Sequence, residues 1–195
     1  FPHKETIGTG TRAAASGGVT TILEMPNTTP TTITSAAWQA KLDTAARDGV
    51  VHHGFFLGAT PDNADFLASA LPRSEDPERR ATGGVSGEAP PPGLPGIKVF
   101  MGASTGNMLV DDPQILERLF AEVPTILLAH CEHTPSIDAN AANLRELFGD
   151  RIPSAAHPPI RNAEAGYRSS SLGVELADRH GPRTHRLAPA PRPRR

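Results

Sequence analysis

The sequence predicts an α/β fold of parallel strands joined by helical crossovers, and three observations carry that reading. Apolar strand-like runs alternate with helix-like runs at least four times, no two strand runs are joined by a hairpin signal, and no GxGxxG follows any strand. The first two leave an α/β barrel or an open doubly wound sheet; the third lowers the dinucleotide-binding form of the latter. Within 195 residues only four strand runs are found, about half of a barrel that typically needs eight strands and ~250 residues.

In chain order, residues 9–16 are Ala-rich and helix-favouring, and Gly17-Gly18 ends them as a helix C-terminus. Residues 19–25, VTTILEM, are β-branched and apolar, and the run PNTTP that follows is a loop. A second helix begins near Ser35, with Ala36, Ala37, Ala40, Leu42 and Ala45 at helical spacing, and closes at Asp48-Gly49. Residues 50–57, VVHHGFFL, read as a mostly buried strand and residues 62–71 as a third helix.

Residues 73–95 hold many Pro and Gly and no apolar period, which reads as a solvent-exposed, mobile insertion rather than a domain boundary, because the strand GIKVFM at 96–101 resumes at once. The loop GASTGN, a helix over 112–121 and the continuous apolar strand TILLAH at 125–130 follow. Helical stretches at 138–148 and 163–179 complete the pattern, with Ser169-Ser170-Ser171 read as a helix-entry or surface run lacking the GxSxG elbow. Residues 1–182 thus form one partial barrel, and 183–195 form a disordered Pro/Arg tail.

Composition excludes several classes. Collagen, coiled coil and disulfide scaffolds do not fit 20 Pro and 18 Gly without period and a single Cys. No stretch approaches the ~18 to 20 apolar residues that span a bilayer, and the first residues lack a leader pattern. Cys131 has no second Cys to pair with, so a reducing, cytoplasmic setting is expected. The net charge of −2 conceals five Arg between 183 and 195, leaving −7 on the rest. Pro-Arg alternation without interleaved aromatics gives no reason to expect a nucleic-acid partner.

In a parallel barrel, chemistry is borne where strands stop. Those positions here are Met25-Pro26-Asn27, Gly58-Ala59-Thr60, Lys98 within its strand, and His130-Cys131-Glu132-His133. An ammonium inside an apolar strand is costly unless paired, deprotonated or chemically altered, so Lys98 either snorkels outward or sits inside with altered chemistry. His130 closes an apolar strand, where imidazole serves as a zinc ligand or as a hydrogen-bonded structural group. His133 is read as a non-ligand, His52 and His53 point to opposite faces, and Cys131 is not expected to be a nucleophile. The loop from Gly102 to Asn107 lacks the Gly-Lys-Ser/Thr ending of a P-loop.

Four segments, ETIGTGTRAAASGGVTTILEMPNTTP, GIKVFMGASTGNMLVDD, ILLAHCEHTPSI and HPPIRNAEAGYRSSSLGVELADRHG, together resemble the dihydroorotases of the amidohydrolase superfamily, kin of allantoinases and hydantoinases. The resemblance covers residues 1 to about 185 outside the insertion. It implies a metal-dependent (β/α)8 barrel that interconverts dihydroorotate and carbamoyl aspartate in pyrimidine synthesis. It further implies two zinc ions bridged by a carboxylated Lys98, His130 as a metal ligand, and Asn27 as a contact to the substrate carboxylate.

Departures from that pattern are equally specific. The chain starts after the family's His-x-His strand, and PRTHRLAPAPRPRR stands where a strand resembling LHVLHIST is expected, with Ala188 at the ligand position. The general-base aspartate falls beyond residue 195, so no residue of this chain takes that catalytic role. HCEHT replaces HCEDT, placing His133 where Asp is familiar. The expectation is a fragment, inactive alone, whose switch to Pro-Arg repeats near residue 182 reads as a frame shift. Its partners would be a small-molecule substrate and either further copies of itself or a complementing chain, with no membrane. The rival readings are allantoinase or hydantoinase, and a noncatalytic dihydroorotase-like partner protein.

Overall fold

The computed structural model describes residues 3–70, 93–102, 106–123, 125–181 and 184–186. Most of the expected insertion, the centre of the Gly102–Asn107 loop and most of the expected tail lie outside these residues.

The chain opens with α1 (Ile7–Ser16), whose first turn is closed by a reciprocal hydrogen-bond pair between Thr6 and Thr9. Strand β1 (Thr21–Glu24) leads to α2 (Ser35–Asp48), capped by the Thr34 hydroxyl accepting from the Ala37 N–H. Next come β2 (His52–Phe55), β3 (Leu57–Gly58) and α3 (Ala64–Ala70). Strand β4 (Ile97–Phe100) precedes α4 (Pro113–Glu122), where Asp112 caps the helix and Pro113 occupies its first turn. Strand β5 (Leu127–His130) is followed by α5 (Thr134–Phe148), the one-turn α6 (His157–Ile160) and α7 (Ala163–His180). Asn162 caps α7 and Gly181, at φ 69°, terminates it in the left-handed region.

All strand pairs are parallel. β1 pairs with β2, and β3, β4 and β5 pair in succession. β2 and β3 are one line of chain interrupted at Phe56, whose N–H donates to the Glu24 carbonyl. Strands therefore neighbour one another in strict chain order, the arrangement of a barrel arc rather than of a doubly wound sheet, where the order reverses.

Residues 184–186 form β6, in register with β5 at Leu127↔Thr184 and Leu128↔His185. This differs from the disordered tail expected from residue 183. Pro/Arg composition describes the segment's average, while Thr-His-Arg locally offers three backbone units that the open edge of β5 pairs with.

The sheet has two unlike faces. Ile97, Val99, Met101, Leu127, Ala129 and Cys131 point to the helices and join Leu116, Leu119, Phe120 and Leu176 in one buried cluster. Ser169 and Ser170 correct the surface-run reading: both are buried on α7, where a small side chain lets the helix lie close to the sheet, and Gly173 comes up to Met101. Cys131 is buried on that side with its Sγ 4.0 Å from Met101 Sδ.

The opposite face, the inside of the arc, is set by alternation: Gly58, Lys98, Phe100, Leu128 and His130. Gly58 has no side chain for a packing reason. A Cβ there would stand 2.1 Å from Met108 Cε and 3.1 Å from the Pro26 ring, so the glycine admits both against the inner surface.

Candidate active site

Because the strands are parallel, their exits lie at one end of the arc. Asn27 lies three residues past β1, Lys98 sits second in β4, and His130 is the last residue of β5. In the β4–β5 register Lys98 faces Leu128 and Phe100 faces His130, so Lys98 and His130 share the inner face one step apart along neighbouring strands.

Lys98 is 1% exposed, which removes the snorkelling alternative. Its Nζ lies 4.2 Å from the centroid of the Phe100 ring and donates to the Val99 carbonyl at 3.2 Å. These are weak compensations for a buried cation. Burial lowers the amine from its ordinary 10.5 to about 8, opposed in part by Cys131. A substantial neutral fraction near pH 8 is what distinguishes this lysine from a surface one.

His130 is at the rim, with its side chain 29% exposed and its ring centroid 6.2 Å from that of Phe100. Its Nε2 meets Glu132 Oε2 at 2.7 Å, and the same oxygen accepts from Arg161 Nη1 at 2.5 Å. Burial alone would push the Glu132 carboxyl up, but hydrogen bonds from His130 and Arg161 together hold it below the ordinary carboxylate range. Arg161 is placed by its surroundings: its N–H donates to the His157 carbonyl, Asn140 of α5 donates to the Ile160 carbonyl, and Asn162 caps the next helix. The sequence motif singles out His130, includes Glu132 without a role, and gives no hint of Arg161. Its place two residues past a strand-end His is a local signal for Glu132, and the 29-residue separation hides Arg161.

Asn27 is half-buried, and its side chain makes no hydrogen bond among the described residues. Its loop is held by Thr28 and Thr32 N–H groups donating to the Pro26 carbonyl and by the Gly58 N–H donating to the Thr32 carbonyl. Pro26, its neighbour, packs on Gly58, the register partner of Lys98. His52 is exposed and His53 half-buried near the strand start, away from the exits.

His133 is the residue before α5, where its Nδ1 lies 2.7 Å from the Ser136 hydroxyl and no side-chain cap reaches the helix N–H groups. His133→Asp is therefore expected to stabilise the chain by about 1 kcal/mol, because a carboxylate there accepts from the first turn and complements the helix dipole. Urea unfolding measures it, and an unchanged midpoint would refute the capping argument.

Among the described residues no three His, Cys, Asp or Glu side chains gather as a metal cage. Lys98 and His130 fit part of such a centre: one is a buried amine without a carboxylate partner among the described residues, the other an imidazole with one ring nitrogen engaged. No described helix is long and apolar enough to cross a membrane.

No family model matches the chain. It is 30% identical over 183 residues to a dihydroorotase of Halobacterium salinarum, covering 90% of this chain and 36% of that protein. It is 46% identical over 173 residues to a probable allantoinase of Oryza sativa, covering 86% of this chain and 30% of that protein. The chain thus spans about a third of the length of the curated relatives it matches. Among solved structures, L-hydantoinase from Arthrobacter aurescens superposes with a TM-score of 0.75 at 22% identity over 93% of this chain and 36% of that one, a likeness of fold.

Proposed function

The chain belongs to the amidohydrolase superfamily, among the cyclic amidohydrolases, and from that premise we propose that it carries part of the active site of a dihydroorotase. The observation that supports this most is the placement of Lys98 and His130 on one inner face of adjacent strands, with the Asn27 loop at the same end. The family is metal-dependent. In this reading Lys98 and His130 hold zinc, and Asn27, with no partner among the described residues, is free to bind the substrate carboxylate.

The amine of Lys98 is the reactive group of the reading. In its neutral form the Nζ lone pair forms a bond to the carbon of CO2 and one amine proton leaves to solvent, which converts a buried cation into a carbamate with two oxygen donors. Burial favours this because it depletes the ammonium form that cannot react. Bound metal would supply an activated water at neutral pH and polarise the amide carbonyl it attacks. His130 contributes an oriented ring nitrogen, and the apolar lining of Phe100 and Met108 limits water. A cytoplasmic setting and a small-molecule substrate belong to the same reading.

Allantoinase is the second reading, favoured by the higher identity to the rice relative and by 47% identity over 66 residues to an allantoinase of Streptomyces avermitilis. Assays against dihydroorotate, allantoin and hydantoin separate the three substrates. Because this reading finds only Lys98 and His130 as ligands among the described residues, the 195-residue protein is expected to open none of them above a blank.

The test is chemical. Incubating the protein with zinc and 13C-bicarbonate at pH 8.5 is expected to give a carbamate carbon resonance that is lost in Lys98→Arg. Absence of that resonance in the wild-type chain overturns the role given to Lys98, and ring opening by the isolated protein overturns its expected inactivity.

A further inference from the structure

We propose that Glu132, braced by Arg161, is a positioning residue that fixes His130 as the Nε2–H tautomer and so leaves Nδ1 as its one ring nitrogen with a free lone pair. This rests on the reading of His130 as a ligand, and it adds the two residues that decide which of its nitrogens serves.

Hydrogen-bond inventory decides which ring nitrogen donates. A carboxylate oxygen that already accepts from a guanidinium at 2.5 Å accepts and does not donate, so the ring nitrogen 2.7 Å away is the donor. Neutral imidazole carries a single N–H, so the proton on Nε2 leaves Nδ1 bare. Nδ1 has no hydrogen-bond partner among the described residues, and His130 lies on the inner face with Lys98. Glu132 itself would be free to rotate were it a rim residue alone, but its side chain is only 16% exposed and Arg161 closes its far side. Arg161 is in turn fixed by the Asn140–Ile160 hydrogen bond and the start of α7. The chain of support therefore runs from two helices, through a guanidinium and a carboxylate, to one ring nitrogen, which is how outer partners orient metal-binding histidines.

The experiment reads the tautomer directly in the metal-free 195-residue protein labelled with 15N-histidine. Long-range 1H–15N spectra distinguish a protonated from a bare ring nitrogen, and His130, one of eight histidines, is assigned by the signal lost in His130→Gln. The expected result at pH 8 is a protonated Nε2 and a bare Nδ1. Glu132→Ala is expected to turn this into a mixture of both tautomers, and Arg161→Gln to do so in part with the fold retained. Zinc affinity, read by competition with a chromophoric chelator, is expected to fall 10- to 100-fold in Glu132→Ala at an unchanged melting temperature.

A wild-type His130 protonated on Nδ1, or on both nitrogens, overturns the proposal, as does a folded Glu132→Ala chain with an unaltered tautomer ratio. Should Glu132→Ala not fold, the wild-type spectrum and Arg161→Gln still decide. A wild-type chain that shows the Nε2–H tautomer yet takes up no zinc removes the metal reading above and leaves the positioning role of Glu132 supported.

Discussion

Lys98→Met is expected to raise the stability of the metal-free chain by about 3 kcal/mol at pH 7, although it removes a residue central to the proposed chemistry. Methionine fills a similar volume against Phe100 and Leu128 without bringing an ammonium out of water. The fall of the amine from 10.5 to about 8 sets the scale, since such a depression is worth on the order of 3 kcal/mol between the charged and neutral forms. Among the described residues a carbonyl, one aromatic face and the nearby Cys131 sulfur offset part of that cost.

The pH dependence has a definite sign. Between about 8 and 10.5 the unfolded chain binds more protons at this position than the folded one, so wild-type stability rises with pH through that window. Below it both states are protonated and the full cost is present. The advantage of Lys98→Met is therefore largest at pH 7 and has vanished above 10.5, and urea unfolding in CO2-depleted buffer at pH 7 and pH 10 measures both points. A variant less stable than wild type at pH 7 would show that Lys98 has a compensating partner, and the account of a lysine kept for reactivity would fall with it.

Gly102→Ala is expected to have an effect of similar size in the opposite direction. A Cβ at Gly102 would lie 1.8 Å from the Glu132 carbonyl oxygen and 2.7 Å from its carbonyl carbon, and these are backbone atoms with no rotamer to change. Directly before it, the Met101 N–H donates to the His130 carbonyl at 2.9 Å, so the exits of β4 and β5 are still paired at this point. One methyl group must separate them, at a cost of about 3 kcal/mol or more. For a chain of this length the melting temperature should drop by roughly 10 °C, and the His130–Glu132 geometry should be lost with it. A melting temperature within a degree of wild type would mean that the two exits stand farther apart than this.

Much of the architecture is legible from local pattern. The β-branched run before Pro26, the apolar TILLAH and the Asp-Pro start of α4 each determine their element through neighbours a few residues away. The strand at 50–57 shows the limit of that reasoning: apolar continuity predicts one strand, whereas Phe56 interrupts the ladder and divides it into β2 and β3. The three serines of α7 show another, because burial of Ser169 and Ser170 follows from where the helix docks and not from their polarity. Residues 93–95, assigned to the insertion by their glycine and proline, instead lead into the sheet: the Gly93 carbonyl accepts from the Phe55 N–H, and Leu94 packs on the core.

For the site, the order of motifs resembles that of the dihydroorotases, and Lys98 and His130 stand out because an amine or imidazole in an apolar strand is anomalous wherever the strand lies, whereas the role of Asn27 comes from the resemblance alone. Which side each faces, and what steadies it, belonged to the tertiary structure. Alternation makes Lys98 and Phe100 share a face, but only the pairing of β4 with β5 brings His130 to that face, and a shift of one residue would have turned it toward the helices. Arg161 reaches Glu132 only after α5 and α6 have folded back across the strand exit. Local periodicity reports backbone conformation because it arises within a few residues, whereas register and ion pairing are set by contacts that exist only once distant segments have met.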